Sequence, residues 1–250
     1  MLPHAWWLLA IAAFIGGAIN SVAGGGSFLS FPALLFVGVP PIVANATNNT
    51  AMWVGVIGSA RGYRREIAEQ RRLIAPLFVV SLVGATLGAL LLLRTPSTLF
   101  ERMVPWLLLA AVALFAFGPR IVAAERARAE HKASWVQLAA QFGVAIYGGY
   151  FGAGMGYAML ALLAFFPLPS VHAANGIKNA LAIAINGIAI VPFAIARVIW
   201  WPQAILMALA AMLGGYVGAR LALRVSSSVM RAAVIALGIT MALAIFLRGV

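Results

Sequence analysis

The sequence contains no cysteine and no aspartate, and only 9% of its 250 residues are charged. The absence of cysteine excludes disulfide bonds and metal sites built on thiolates. All five acidic residues are glutamates that lie in polar breaks between apolar stretches: Glu66, Glu69, Glu101, Glu125 and Glu130. We therefore expect no carboxylate deep in an apolar interior, no metal ion, no cofactor and no enzymatic activity, since an acid–base set is missing.

Apolar residues make up 64% of the chain, which is more than a soluble domain of this length can bury. A helix needs roughly 20 apolar residues to cross a bilayer. Stretches of that kind occupy residues 6–38, 42–60, 73–93, 103–118, 135–168, 170–196, 203–223 and 229–247. The pattern of the first stretch recurs in mid-chain, so we expect a retained span and not a cleaved signal. The sequence predicts an all-α, polytopic integral membrane protein.

The net charge of +12 arises from arginines in the short segments between apolar stretches. Membrane proteins carry basic residues there because these residues set the orientation of the chain. The arginines form no contiguous basic face, which argues against nucleic acid as a partner. The expected partners are the lipid bilayer and a small anionic substrate, and a homodimer is left open.

The two halves of the chain match each other at a constant offset of 130 residues, which indicates a tandem duplication. The matches include rare residue types as well as common ones: Asn45, Asn49, Gly84, Gly88 and Arg94 return as Asn175, Asn179, Gly214, Gly218 and Arg224. We expect residues 1–120 to form the first membrane repeat, 121–134 a cytoplasmic linker and 135–250 the second repeat, each with about four transmembrane helices. Secondary transporters commonly place their substrate site between such repeats.

The orientation of the repeats stays open at this stage. If the long stretches 6–38 and 135–168 are single broken spans, the repeats are parallel. If each folds back as a re-entrant hairpin, the repeats are inverted. The positive-inside rule fits both versions equally well, and both place residues 61–72 and the central linker in the cytoplasm.

Each long stretch is interrupted by glycines, which indicates unwound backbone within the membrane. Such backbone is tolerated only against protein or a water-filled cavity, and a helix that begins there directs free N–H groups towards an anion. Close packing of helices is the alternative explanation. The candidate residues at these breaks, with the neighbouring Asn20, are Gly24, Gly25, Gly26, Ser27, Gly154 and Gly156.

A polar cluster follows a proline at the start of the next helix in each half. Amide side chains in hydrocarbon need partners or a wet cavity, so these clusters are candidates either for ligand binding or for hydrogen bonds between helices. The first cluster contains Asn45, Thr47, Asn48 and Asn49, and the second contains Asn175 and Asn179. Asn186 extends the second face further along the helix, and His172 precedes it as a candidate proton carrier.

Lys178 lies on the same helix face as Asn175 and Asn179. If its helix begins at Ser170, Lys178 lies about 12 Å along the axis, too far for easy contact with water. No intramembrane acid is predicted to neutralise it, so the ammonium group favours an anionic ligand. The alternative is that the helix begins later and Lys178 reaches the interface.

These motifs together resemble the sulfite exporter TauE/SafE family. The resemblance rests on Asn20–Ser27, on residues 44–49, on the glycine-rich run 147–156 and on residues 172–179, and it covers nearly the whole chain. It implies a transporter of sulfite, sulfonates or related organosulfur anions in the bacterial inner membrane, with Lys178, Asn179 and the glycine breaks in the working core. Ile177 stands where the family usually has threonine, and Asn49 stands where a lysine can occur.

The function expected from the sequence is therefore a multi-pass secondary carrier for a small sulfur-containing anion, with its site between the two repeats. A membrane protein that assembles or delivers a partner complex, without transport, is the alternative. Such a factor would need soluble docking surface, and the loops between the apolar stretches are short.

Overall fold

The computed structural model describes residues 5–23, 25–125, 135–166 and 168–221, and single positions between 235 and 246. All regular structure in these residues is helical, which confirms the predicted all-α class for this part of the chain. The helices are α1 (Ala5–Ala23), α2 (Ser27–Phe36), α3 (Pro41–Gly62), α4 (Arg64–Glu69), α5 (Arg71–Arg94), α6 (Ser97–Glu125), α7 (Trp135–Tyr150), α8 (Met155–Leu163), α9 (Val171–Ile195) and α10 (Trp201–Leu221).

Many large apolar side chains lie on the outside of the helical bundle, as expected for a protein surrounded by lipid. Trp7, Val83, Leu91 and Leu213 are each more than half exposed. Two helical segments in the described residues are apolar and long enough to cross a bilayer, Arg71–Arg94 and His172–Ile195. Shorter apolar helical segments are Trp6–Asn20, Ser27–Phe36 and Trp201–Val217. The number of crossings stays a prediction.

The order of the helices repeats at the offset seen in the sequence. Shifted by 130 residues, α1, α2, α3 and α5 fall on α7, α8, α9 and α10. The packing follows the same rule: α1 packs on α10 as α7 packs on α5, and α3 packs on α10 as α9 packs on α5. Each half therefore gives its first helix to the other half. This exchange is what the predicted duplication requires.

Glycines let these exchanged helices approach closely. A Cβ atom on Gly214 of α10 would clash with the carbonyl oxygen of Phe14 in α1. At the corresponding position in the other half, a Cβ atom on Gly84 of α5 would lie 2.8 Å from the carbonyl oxygen of Phe142 in α7. Small residues at helix contacts are the usual means of tight packing in membranes.

The glycine break after α1 reverses the chain. A Cβ atom on Gly16 would lie 2.8 Å from the carbonyl oxygen of Gly26, whereas ten residues along one straight helix span about 15 Å. Helix α2 therefore begins beside the body of α1, and α7 and α8 likewise pack on each other. Of the two alternatives for the long apolar stretches, this geometry fits the hairpin better than the broken span.

Helices α3 and α9 run antiparallel through the centre of the bundle. The Nε1 of Trp53 donates to the carbonyl oxygen of Ile183 over 3.0 Å, and these two positions are themselves 130 residues apart. The end of α3 lies near the start of α9, where Tyr63 neighbours Gly176. At the opposite end, the backbone N–H of Trp200, just after α9, donates to Thr47 Oγ1 over 3.0 Å.

Candidate functional site

A small cavity lies between the two glycine breaks and the central helices. Its volume is about 40 Å³, and since a single water molecule needs about 10–15 Å³, it has room for a few water molecules or one small ion. Its polar lining is Asn20, Ser27, Lys178, Asn179 and Asn186, and the rest of the lining is Met52, Val56, Gly152, Met155, Gly156 and Ala182. Residues of both halves thus enclose one chamber.

Lys178 enters this cavity from the third turn of α9. The helix begins at Val171 after Ser170, whose side chain accepts a hydrogen bond from the Ala173 N–H over 3.1 Å. Seven residues of helix place Lys178 about 10 Å from this start. The side chain is 6% exposed, and among the described residues its ammonium group has neither a hydrogen-bond acceptor nor an ion-pair partner.

No acidic residue lines the cavity among the described residues. Burial of an ammonium group without a counter-charge is costly, by several kcal/mol after relaxation. A positive group kept under these conditions has a large free-energy gain available from a bound anion.

Three carboxamides add donors around Lys178. The side chains of Asn179 and Asn186 lie seven residues apart on one face of α9, and Asn20 of α1 faces them across the cavity. None of the three has a hydrogen-bond partner for its side chain within the described residues. Because buried polar groups are normally paired, these amides indicate that a ligand or water completes the site.

The second glycine turn contributes backbone to the cavity. Gly152 and Gly154 have φ angles of 79° and 75°, which a residue with a side chain adopts only with strain. Helix α8 then begins at Met155, and the Gly156 N–H has no acceptor among the described residues. Tyr147 stabilises this turn by donating its hydroxyl to the Ala153 carbonyl oxygen over 2.5 Å. A free N–H at a helix start is a favourable position for an anion.

The first glycine turn reaches the cavity through Ser27, the first residue of α2. Its Oγ accepts a hydrogen bond from Asn48 Nδ2 over 3.1 Å. Gly25, Gly26 and Gly154 are buried but do not belong to the described lining. Gly24, a predicted site residue, lies outside the described residues.

The polar cluster of α3 makes hydrogen bonds between helices. Asn45 Nδ2 donates to the Tyr150 carbonyl oxygen over 2.9 Å, and Asn49 Nδ2 donates to the Asn186 carbonyl oxygen over 3.2 Å. Asn48 accepts from Ser30 Oγ over 2.5 Å, and Thr47 accepts from a backbone N–H at the far end of α9. These contacts match the alternative explanation of the cluster. A role of these four residues in substrate binding stays a prediction.

His172 and Asn175 lie on the first turns of α9, away from the described lining of the cavity. His172 is exposed, and its ring lies 6.4 Å from the ring of Tyr63, measured between centroids. Asn175 is half-buried. The proton-carrying role predicted for His172 is untested.

Several lining residues escaped the analysis of the sequence. Met52 and Val56 continue the face of Asn48 at intervals of four residues, and Met155 lies between two glycines that were singled out. Helical periodicity extended along α3 would have found the first two. Their apolar side chains carried no chemical signal, so residue type alone could not.

The polar groups that face the cavity can all donate hydrogen bonds: one ammonium, three carboxamides and a backbone N–H. No group of His, Cys, Asp and Glu able to hold a metal ion occurs in the part of the chain that the structure describes. The chemistry of the cavity therefore suits a small anion.

Comparisons with known proteins agree with a membrane transporter. The family model described as "Sulfite exporter TauE/SafE" matches residues 9–245. A probable membrane transporter protein of Haemophilus influenzae is 27% identical over 94% of this chain and 91% of its own length. The probable membrane transporter protein ORF9 of Sinorhizobium sp is 29% identical over 96% of this chain and 92% of its own. The probable membrane transporter protein YfcA of Escherichia coli is 29% identical over 90% and 83%. No solved structure matches the chain.

Proposed function

Because the chain belongs to the sulfite exporter TauE/SafE family, we propose that it is a secondary carrier of a small sulfur-containing anion across the bacterial inner membrane. Sulfite, a sulfonate or a related organosulfur compound is the substrate class. One observation carries the proposal for this chain: Lys178 is buried in a cavity between the two halves with no protein counter-charge in the described residues. An anion supplies the charge that the protein does not.

In the bound state, the Lys178 ammonium group neutralises the substrate. Two unit charges about 4 Å apart attract each other by roughly 4 kcal/mol at the effective dielectric constant of a protein. The carboxamides of Asn20, Asn179 and Asn186 donate N–H to the oxygens bound to sulfur, and the Gly156 N–H adds a donor from the main chain. The small cavity favours a compact anion over a bulky organic one.

Transport follows from the arrangement of the two halves. Helices α3 and α9 run antiparallel and meet at equivalent positions, which supports inverted repeats related by an axis in the membrane plane. In transporters of this kind, one repeat moves against the other around a fixed central site. The site described above contains residues of both repeats, so such a movement opens it to one side at a time.

Coupling to protons is proposed to run through the substrate. No carboxylate lines the described cavity, and His172 lies outside that lining. Sulfite can itself carry a proton, so the anion and a proton can enter together without a titratable acid in the site.

The test is flux of radiolabelled sulfite and of small sulfonates into proteoliposomes that contain the purified chain. We expect saturable flux with the unchanged sequence and loss of at least about tenfold with Lys178→Ala, since a charged hydrogen bond contributes about 1.5–3 kcal/mol. Arg197→Ala is the matched control, because Arg197 is an exposed cation outside the described cavity lining.

The outcomes separate two claims. Unchanged flux in Lys178→Ala would remove the site assignment and leave the carrier standing. No flux of any sulfur anion with the unchanged sequence would favour the alternative, a membrane factor that assembles or delivers a partner complex.

A further inference from the structure

We propose that α4, together with Tyr63 and His172, forms a gate that closes the site towards the side predicted to be cytoplasmic. This inference rests on the proposed carrier function, because a gate has meaning only if the cavity holds a transported solute. The gate residues are Tyr63, Glu66 and Ile67 on one side, and His172 and Gly176 on the other.

The faces of α3 and α9 that line the cavity lead directly to this contact. On α9, Asn179 lines the cavity, and Gly176 and His172 lie three and seven residues before it on the same helix face. On α3, Val56 lines the cavity, and Tyr63 follows seven residues later on the continuation of that face. A route from the cavity along the crevice between the two helices therefore ends at Tyr63 and His172.

The crevice is closed at that end by direct contact. The rings of Tyr63 and His172 lie 6.4 Å apart with an angle of 31° between their planes. Helix α4 packs on α9, and a Cβ atom on Gly176 would lie 3.2 Å from Glu66 Cβ and 3.5 Å from Ile67 Cγ1. Glycine at this position lets α4 lie directly on the α9 backbone.

The Tyr63 ring is suited to a contact that opens without a change of charge. Burial raises the pKa of its hydroxyl, and the neighbouring Glu66 carboxylate raises it further. The ring is therefore neutral at physiological pH.

The opposite end of the crevice is closed by the corresponding segment of the other half. Shifted by 130 residues, Tyr63, Glu66 and Ile67 become Phe193, Ala196 and Arg197. Phe193 is buried, and Arg197 adopts a φ of 57° in the turn that follows α9. That turn is tied to α3 by the hydrogen bond from the Trp200 N–H to Thr47 Oγ1.

The two ends are thus closed together in this structure, which agrees with the small volume of the cavity and the 6% exposure of Lys178. The α4 end is held by ring and carbon contacts, and the Trp200 end includes a buried backbone hydrogen bond. We infer that the α4 end opens with the smaller loss of contacts.

A disulfide across the gate tests this directly, because the chain has no cysteine of its own. In Glu66→Cys/Gly176→Cys the two Cβ atoms lie about 3.2 Å apart, near the 3.5–4.5 Å that a disulfide needs. Oxidation is expected to reduce sulfite flux in proteoliposomes to the level of empty liposomes, and dithiothreitol to restore it. Each single-cysteine variant serves as control and keeps its flux under oxidant.

A second measurement does not depend on transport or on the disulfide. Val56→Cys places a thiol in the cavity, and its reaction with a small membrane-impermeant thiol reagent reports opening. Adding Tyr63→Ala is expected to speed this reaction from the cytoplasmic side only. Equal rates with and without Tyr63→Ala, or full flux in the oxidised double-cysteine variant, would overturn the gate. Absence of sulfite flux in the unchanged protein would instead count against the proposed function, since thiol labelling needs no substrate.

Discussion

At the scale of single residues, two sets of asparagines differ in whether the protein satisfies their amides. Asn179 faces the cavity without a partner in the described residues, whereas Asn45 donates to the carbonyl oxygen of Tyr150 over 2.9 Å. Replacing a buried amide that has no protein partner removes an unfavourable group. Replacing a paired one leaves its partner unsatisfied at a cost of about 1–3 kcal/mol.

We therefore predict opposite effects for Asn179→Leu and Asn45→Leu. Asn179→Leu should weaken sulfite binding by at least about tenfold, since a hydrogen bond to a charged group contributes about 1.5–3 kcal/mol, and should not lower the melting temperature. Asn45→Leu should lower the melting temperature and leave the dissociation constant of the folded fraction nearly unchanged. Titration of sulfite and thermal unfolding in the same detergent measure both. A loss of stability in Asn179→Leu without loss of affinity would contradict the assignment.

The sequence predicted which polar residues matter but not this division of roles. Equivalent spacing placed both asparagine sets on one helix face each, and Asn48 and Lys178 occupy equivalent positions. Their surroundings differ because Ser27 and Ser30 stand beside Asn48, whereas the equivalent positions of the second half hold Tyr157 and Leu160. Those contacts depend on tertiary packing, which the spacing of residues along one helix does not contain.

At the scale of helices, the glycines of α3 and α5 have different surroundings. A Cβ atom on Gly88 of α5 would clash with the carbonyl oxygen of Ile146 in α7, whereas a Cβ atom on Gly58 of α3 would meet nothing within 4 Å. The first glycine is required by a close approach of two helices. The second only weakens its own helix, because glycine is about 1 kcal/mol less favourable than alanine in a helix interior.

Gly88→Ala is predicted to destabilise the fold and Gly58→Ala to stabilise it. Overpacking commonly costs about 1–3 kcal/mol, so Gly88→Ala should lower the midpoint of thermal unfolding. Gly58→Ala should raise that midpoint by the gain in helix propensity, at most about 1 kcal/mol. Equal midpoints for the two variants would show that α5 and α7 are not packed as described.

Helix positions followed from apolar stretches and glycine breaks, but helix pairing did not. Residues 6–38 were identified as one interrupted stretch, and the structure divides them into α1 and α2 at the predicted glycines. The packing of α1 on α10 joins residues about 200 positions apart. No local pattern encodes such a contact, although the matching glycines Gly84 and Gly214 marked both surfaces in the sequence.

At the scale of the whole molecule, the orientation of the repeats decides how the carrier can work. Inverted repeats place equivalent segments on opposite membrane faces, and parallel repeats place them on the same face. Arg65 lies in α4, and Arg197 lies in the equivalent segment of the second half, and both are exposed. Positive-inside counting could not separate the two arrangements, because short loops carry arginine on both predicted faces.

The antiparallel contact of α3 with α9 makes a definite prediction for labelling from one side. In right-side-out vesicles, a membrane-impermeant maleimide should label Arg197→Cys and should label Arg65→Cys only after the membrane is opened. The chain has no other cysteine, so each signal belongs to one position. Labelling of both positions from the same side would require parallel repeats, and the two closed ends of the central crevice would then face one compartment. A single closed cavity could not alternate between the two sides of the membrane in that arrangement, so this experiment tests the carrier mechanism as well as the topology.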